Sequence, residues 1–404
     1  MPSKQIPPLT GPVLFGLTAF CQPFSRGLTN AFFGLLCLWG LIWLFYGRKR
    51  WSIQAPPFPG RLLKGFFALS AAFVLSSIFS AEPILSFKTT AKVLYLTAAA
   101  PLTWLVLSIR PKLLTLLPFI YGGGLIVSGA AAFYEADLCL KCVRAKGSLG
   151  IMELSGILSQ LPPLLVGAMA LGLRTKSGVA KTIFFLAAML AAGAAIIINC
   201  SRIAMICAPL LTSIMFAANF RFFKNVIGAA LVAIAVSGAL FMLTDERISA
   251  RFADMTSSIE ESKNNQYRFI FVSHGLKTFK QHPVLGVGPG AKPSPIYPAG
   301  SGRYAHSHNL FINFLAELGV VGLFALLFFL FCPISLLWRR RRSKDPLVFF
   351  WTWAALLVFL QLILNGLTDY LFSNSIVMTT FHFILGAALW ASQARPEKEE
   401  DLLV

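Results

Sequence analysis

The chain is predicted to be an all-α integral membrane protein: a bundle of about 12 transmembrane helices with one large extramembrane loop that itself contains helices. Three observations predict this. Of 404 residues, 56% are hydrophobic and only 13% charged, against about 25% charged in soluble domains. The mean hydropathy is +0.72. The apolar residues also gather into stretches near the ~20 residues needed to cross a bilayer.

The spans are expected at 11–23, 28–46, 63–80, 84–108, 112–132, 152–172, 181–199, 203–219, 224–243, 309–336, 347–368 and 375–391. The first is short and flanked by Pro12 and Pro23. Phe20 and Gln22 make a poor small-residue cleavage site around it, and Cys21 preceded by Phe is a poor lipoprotein signal. Domain organisation follows: 1–243 holds spans one to nine, 244–308 is the large loop, 309–391 holds spans ten to twelve, and 392–404 is a tail.

Charge orients the bundle. Basic residues favour cytoplasmic connections. Arg48, Lys49, Arg50, Arg61 and Lys64, then Arg110 and Lys112, then Arg174, Lys176 and Lys181, then Arg221 and Lys224, fall in alternate connections. The run Arg339–Arg342 with Lys344 continues the series, as do Lys4, Arg395 and Lys398. Both termini are therefore expected inside and the 244–308 loop outside. The net charge of +19 calls for no nucleic-acid partner, since topology and anionic headgroups account for the inner share.

The loop reverses the usual bias. Arg247, Arg251, Lys263, Arg268, Lys277, Lys280, Lys292 and Arg303 outnumber its five acids. Long loops escape the rule; the alternative is an anionic ligand on the outer face. Of five histidines, His274, His282, His306 and His308 lie in this loop and only His382 in a span. Phe269, Ile270, Phe271, Leu276 and Phe279, with cationic residues between, suit a helix lying in the interface. Pro283 and "GVGPG" (286–290) end it. Such a glycine stretch can also approach phosphate oxygens, but more often is simply a turn.

Two more basic sites stand out. Arg202, in "NCSRIAM", falls where spans seven and eight nearly meet, so it lies at or just under the outer surface. It is a functional candidate or a snorkelling arginine. Arg144 and Lys146, in "CVRAKGSLG", are a second outer cluster or a solvated loop. Arginine grips phosphate with a fixed fork of donors. Histidine near neutral pKa can take a proton from a hydroxyl. That pairing fits transfer of a sugar from a polyprenyl diphosphate to an alcohol. No Asp-x-Asp occurs, so arginines rather than a metal would steady the leaving group. No metal and no cofactor are expected.

His308-Asn309, followed after nine residues by Gly319 and after two more by Gly322, resembles the histidine motif of the O-antigen ligases, a superfamily shared with O-antigen polymerases and some protein O-oligosaccharyltransferases. "NNQYRFIFVSHGLKTFKQHPVLGVGPG" is similar to that family's arginine, amphipathic helix, His-Pro and Gly-x-Gly; "NCSRIAM" is similar to its Ser-Arg after a span. These pieces cover about 195–325 in order. The resemblance implies a metal-independent, inverting, GT-C-like membrane glycosyltransferase in the inner membrane of a Gram-negative bacterium, with its active site on the periplasmic face. It implies His308 as catalytic base, with Arg202 and Arg268 binding the diphosphate of an undecaprenyl-linked glycan. The acceptor would be a sugar of lipid A–core.

Counting from His306 misplaces both glycines, so the motif selects His308. Asn309 could orient that histidine or cap the helix, and capping is the preferred single role. Glu317 is an intramembrane carboxylate that pairs with a base or faces a wet cavity. Asp369, in "NGLTDYLF", is a lesser site candidate, and Gly319 and Gly322 suit close helix approach. Cys139 and Cys142 form a local disulfide or two idle thiols. Other readings are an O-antigen polymerase or a protein O-oligosaccharyltransferase using the same donor. A reading of another class is a lipid-linked glycan transporter, although no repeated halves are evident.

Overall fold

The structure, a computed structural model, describes residues 9–47, 57–138, 149–174, 179–199, 201–220, 263–291 and 306–394. Every regular element among them is helical. The helices are α1 (Thr10–Cys21), α2 (Arg26–Ile42, continued by a π-helical turn Trp43–Gly47), α3 (Gly60–Ile78), α4 (Pro83–Thr97), α5 (Ala99–Ile109), α6 (Leu113–Leu138) and α7 (Ile151–Arg174). They continue as α8 (Val179–Asn199), α9 (Arg202–Ala218), α10 (Lys263–Gln281), α11 (Leu310–Arg340), α12 (Pro346–Gly366) and α13 (Ser375–Ala394).

Among the described residues nine segments are long and apolar enough to cross a membrane, with α4 and α5 counted together. The all-α integral membrane class holds. Two of the expected spans are short: α1 has 12 residues and α9 has 17. At about 1.5 Å per residue α1 rises only ~18 Å, short of a ~30 Å hydrocarbon core. The expected span 224–243 lies outside the described residues. The expected single span 84–108 is two helices meeting at Ala98. Pro101 explains the joint, because a proline inside a helix donates no hydrogen bond and crowds the carbonyl four residues earlier, here that of Thr97.

Local chemistry sets several boundaries. Ser25 caps α2 by accepting from Leu28 N–H at 3.3 Å. Asp345 caps α12 by accepting from Leu347 and Val348 N–H at 2.8 and 3.1 Å, with Pro346 in the first turn. Arg339 and Arg340 fall in the last turn of α11, where cations suit the helix dipole.

Helices α7 and α13 form the centre; nearly every residue of their apolar windows is buried. Around them α6 packs on α8, α9 on α7, α5 and α12 on α13, and α3 on α11. Leu35, Leu38, Leu41, Phe67, Phe324 and Phe331 remain exposed on the outer helices, as lipid-facing side chains would be.

One irregularity positions the site. Helix α11 breaks at Gly319, whose φ of +64° and ψ of −162° leave the helical region. The segment after α10 runs alongside the break. Val287 and Gly288 N–H donate to the Ala316 and Glu317 carbonyls at 3.1 and 2.9 Å, while Val320 and Val321 N–H donate to Pro283 and Val284 at 2.9 and 3.3 Å. Backbone polar groups at membrane depth must find partners; the break frees carbonyls, and the turn supplies the donors. A Cβ at Gly319 would collide with the Val284 carbonyl. What this glycine admits is therefore the incoming turn, rather than the neighbouring helix expected from sequence. From α3, Ser76 Oγ reaches the Leu285 and Glu317 carbonyls at 2.7 and 2.9 Å, and Ser80 Oγ donates to Val287 at 2.8 Å.

Candidate functional site

The stretch "HSHN" makes the turn into α11. Asn309 Oδ1 accepts from Phe311 and Ile312 N–H, both at 3.0 Å, and its Nδ2 donates to the Leu367 carbonyl at 3.1 Å. The residue caps α11 and ties the cap to the α12–α13 link. Before it, His308 has φ +48°, the left-handed region, the only non-glycine residue so placed among the described residues. Holding such a backbone costs about 1–3 kcal/mol. Ser307 N–H donates to Asn313 Oδ1 at 3.0 Å, and His308 N–H reaches His306 Nδ1 at 3.4 Å.

This turn aims both imidazoles at one carboxylate. His308 Nδ1 lies 3.1 Å from Asp369 Oδ1, and His306 Nδ1 lies 3.9 Å from the same atom. The two rings are 4.4 Å apart. Asp369 Oδ1 also accepts from Tyr370 N–H at 2.8 Å. The hydrogen bonds fix tautomers: His306 Nδ1 accepts, so its proton sits on Nε2, whereas His308 donates Nδ1–H to Asp369, which makes Nε2 the acceptor nitrogen of its ring. Burial, then the neighbouring His308, lowers His306 to about 4, against the opposing pull of Asp369. Burial pushes the Asp369 carboxyl upward, but the His308 hydrogen bond, both histidine charges and the Tyr370 amide outweigh it and hold it below the ordinary range. Asp369 therefore stays ionised and His306 neutral near pH 7.

Helix α10 closes one side. Gly275 lies so close to the turn that a Cβ there would meet Ser307 Oγ at 2.5 Å and Ile312 Cγ2 at 2.7 Å. Phe271, one turn earlier, stands 5.4 Å ring to ring from His308. Arg268 is a further three residues back on the same helix, and residues three apart are neighbours on a helix surface. Phe269 and Leu276, on other faces, are exposed.

Arg202 opens α9 at the same end of the bundle. Its neighbour Ser201 shares a 2.7 Å hydrogen bond with Ser155 of α7. Glu153, in the first turn of α7, takes Arg26 Nε at 2.9 Å and Asn374 Nδ2 at 3.2 Å. Asn374 closes the 367–374 link that carries Asp369. Arg202 and Arg268 thus fall at the same end of the bundle as His306, His308, Asn309 and Asp369. Arg144, Cys139 and Cys142 lie outside the described residues. The 286–290 turn spends the Val287 and Gly288 amides on α11 carbonyls, so those two amides do not cradle a phosphate. His382, buried in α13 with Nδ1 2.7 Å from the Met378 carbonyl, belongs to the core.

Ligand atoms of His306, His308 and Asp369 lie within 4.8 Å of one another, a spacing that could hold a metal ion. A cavity of about 310 Å³ lined by Lys181, Phe185, Asp345 and Phe350 sits at the opposite end of the bundle and takes no part. Sequence reasoning passed over Asn313 and Tyr370. Asn313 was detectable, since Asn309, Asn313 and Glu317 recur every four residues, one polar line along an apolar helix.

Fold and site together define a polytopic helical membrane protein with a His–Asp pair at one end of its bundle, flanked by arginine-bearing helices. Residues 187–327 match the family model described as O-Antigen ligase; across that segment the chain carries a domain of the O-antigen ligase superfamily, as the motif resemblance implies. The superfamily stands for glycosyltransferase-like activity of the ligase or polymerase kind, on lipid-linked O-antigen. The match contains Arg202, Arg268, His308 and Asn309, and Asp369 lies beyond it. No curated protein matches the chain.

Proposed function

We propose that the chain is an O-antigen ligase. It transfers O-antigen polysaccharide from undecaprenyl diphosphate to a sugar hydroxyl of lipid A–core, without a metal and with inversion. The observation that carries this reading is the 3.1 Å pair between His308, which stands in the family's motif, and Asp369, which lies beyond it. Asp369 holds Nδ1–H, so His308 Nε2 is the base that takes the acceptor proton. The acceptor oxygen attacks the anomeric carbon from the face opposite the diphosphate. A C–O bond forms there as the bond to the diphosphate breaks, and the leaving electron pair departs with the diphosphate. Arg202 and Arg268 steady that growing charge. Asn309 holds the turn, and His306 crowds the base without competing for its proton. Arg144 adds positive charge on the same face.

The site works at the periplasmic face of a Gram-negative inner membrane, with both termini cytoplasmic. Spans in 1–243 and 309–391 flank the periplasmic loop 244–308, and 392–404 is a cytoplasmic tail. The relatively compact loop favours a ligase over a polymerase. Purified protein given undecaprenyl-diphosphate-linked glycan and rough lipopolysaccharide, with EDTA present, yields glycan joined to lipid A–core. Lengthened lipid-linked glycan instead would mean a polymerase, and glycosylated peptide a protein O-oligosaccharyltransferase. Glycan crossing vesicles with no new bond would mean a transporter. A product that vanishes with EDTA would overturn metal independence.

A further inference from the structure

We propose that Asn313 and Glu317 are positioning residues, a buried polar strut that holds the turn bearing His308 and couples it to the glycine turn at 286–290. The inference rests on the reading of His308 as base. His308 occupies a backbone region that only glycine adopts freely, with φ +48°, so something must keep it there. The group in contact is Asn313, whose Oδ1 accepts from Ser307 N–H at 3.0 Å between the two histidines. One helical turn deeper, Glu317 presents its carboxyl to the Asn313 side chain and to the Gly290 amide. Both residues are 2% exposed. Asn313 Nδ2 and Glu317 Oε2 are buried and make no ordinary hydrogen bond among the described residues.

Glu317 also meets the turn through its backbone. The Glu317 carbonyl accepts from Gly288 N–H at 2.9 Å and lies 2.9 Å from Ser76 Oγ. The turn in turn follows directly on α10, the helix of Arg268 and Phe271. A shift of α10 is therefore felt at Glu317, then Asn313, then Ser307 and the imidazole. Among the described residues no ion pair to Glu317 occurs. A lone carboxyl in a span is costly and functional by default, and this is the work it does here.

Four variants test it: Asn313→Leu, Glu317→Leu, the double Leu variant and Glu317→Gln, each assayed for turnover at saturating donor and for donor KM. Each single Leu variant should lose about tenfold to a hundredfold in kcat, the scale of an ångström misplacement, with KM changed less than about threefold. Glu317→Gln keeps an accepting oxygen and should stay within about threefold of the parent. The double variant should be no slower than Asn313→Leu alone, because Glu317 acts through Asn313. It should also recover part of the stability that the two single losses would sum to, since neither polar side chain is then stranded and only the Ser307 and Gly290 amides are. Turnover recovering with that stability would show a merely structural role and overturn the inference. So would folded Leu variants with parental kcat, or losses that multiply. Should Asn313→Leu not fold, Asn313→Ser carries the same comparison. Active His308→Ala would instead sink the underlying reading, independently of these variants.

Discussion

His308 Nδ1 and Asp369 Oδ1 stand 3.1 Å apart across 61 residues of chain, and the carboxylate is 5% exposed. A buried carboxylate on one ring nitrogen fixes the tautomer and leaves the other nitrogen as acceptor. Asp369→Asn removes the charge that favours this state. Turnover should fall on the order of 10²–10⁴-fold, the usual worth of a positioned acid or base, with donor KM nearly unchanged. Steady-state kinetics against donor concentration check this; parental kcat would show that the pair is not used.

Arg268 precedes by three residues the phenylalanine that faces His308. If its guanidinium grips the diphosphate, Arg268→Ala forfeits a charge-assisted hydrogen bond worth about 1.5–3 kcal/mol and raises donor KM roughly 10–100-fold. Arg268→Lys should recover only part, because an ammonium cannot make the bidentate contact. Titration with lipid-linked glycan decides; a parental donor KM for Arg268→Ala would assign it elsewhere.

Acid should loosen the site. His306 is lowered from 6.5 to about 4 by burial, then by His308. The unfolded chain therefore binds a proton between those values that the folded chain refuses. This contribution is fully present above pH 6.5 and is lost as pH falls from 6.5 towards 4. Asp369, held below its ordinary 3.8, adds stability that is lost only below that value. Thermal melts in detergent should decline through the first window, by at most about 1.4 kcal/mol per pH unit for one proton. His306→Gln should flatten that decline; an unchanged slope would mean another group titrates.

Gly275 sets how near α10 comes to the histidine turn, with Ser307 Oγ 2.5 Å and Ile312 Cγ2 2.7 Å from where a Cβ would be. Gly275→Val should destabilise by roughly 1–3 kcal/mol through overpacking. It should also slow turnover by moving Phe271 and Arg268 away from His308. Melting and kinetics on one preparation test both, and a fully active, equally stable variant would show that α10 can sit further out.

Hydropathy and charge made the helices and their class legible, because lipid demands long apolar helices whatever the details. Caps were legible too: Asn309 behaves as its residue type dictates. The break at Gly319 was not, because it depends on Val284 and Val287 arriving from the preceding segment. The motif spacing picked out His308, but its partnership with Asp369 joins two distant links of the chain and has no local signature. The strut of Asn313 and Glu317 shows in their four-residue spacing only once the helix is known to be broken and buried there. Arg144 and the cysteine pair fall outside the described residues.

The central claim is that one imidazole, His308, removes the acceptor proton. The most direct measurement compares His308→Ala with His306→Ala in glycan transfer by purified protein, with melting curves to establish folding. His308→Ala should lose on the order of 10²–10⁴-fold in turnover while His306→Ala retains measurable transfer. A folded His308→Ala protein that transfers glycan at the parental rate would contradict the account.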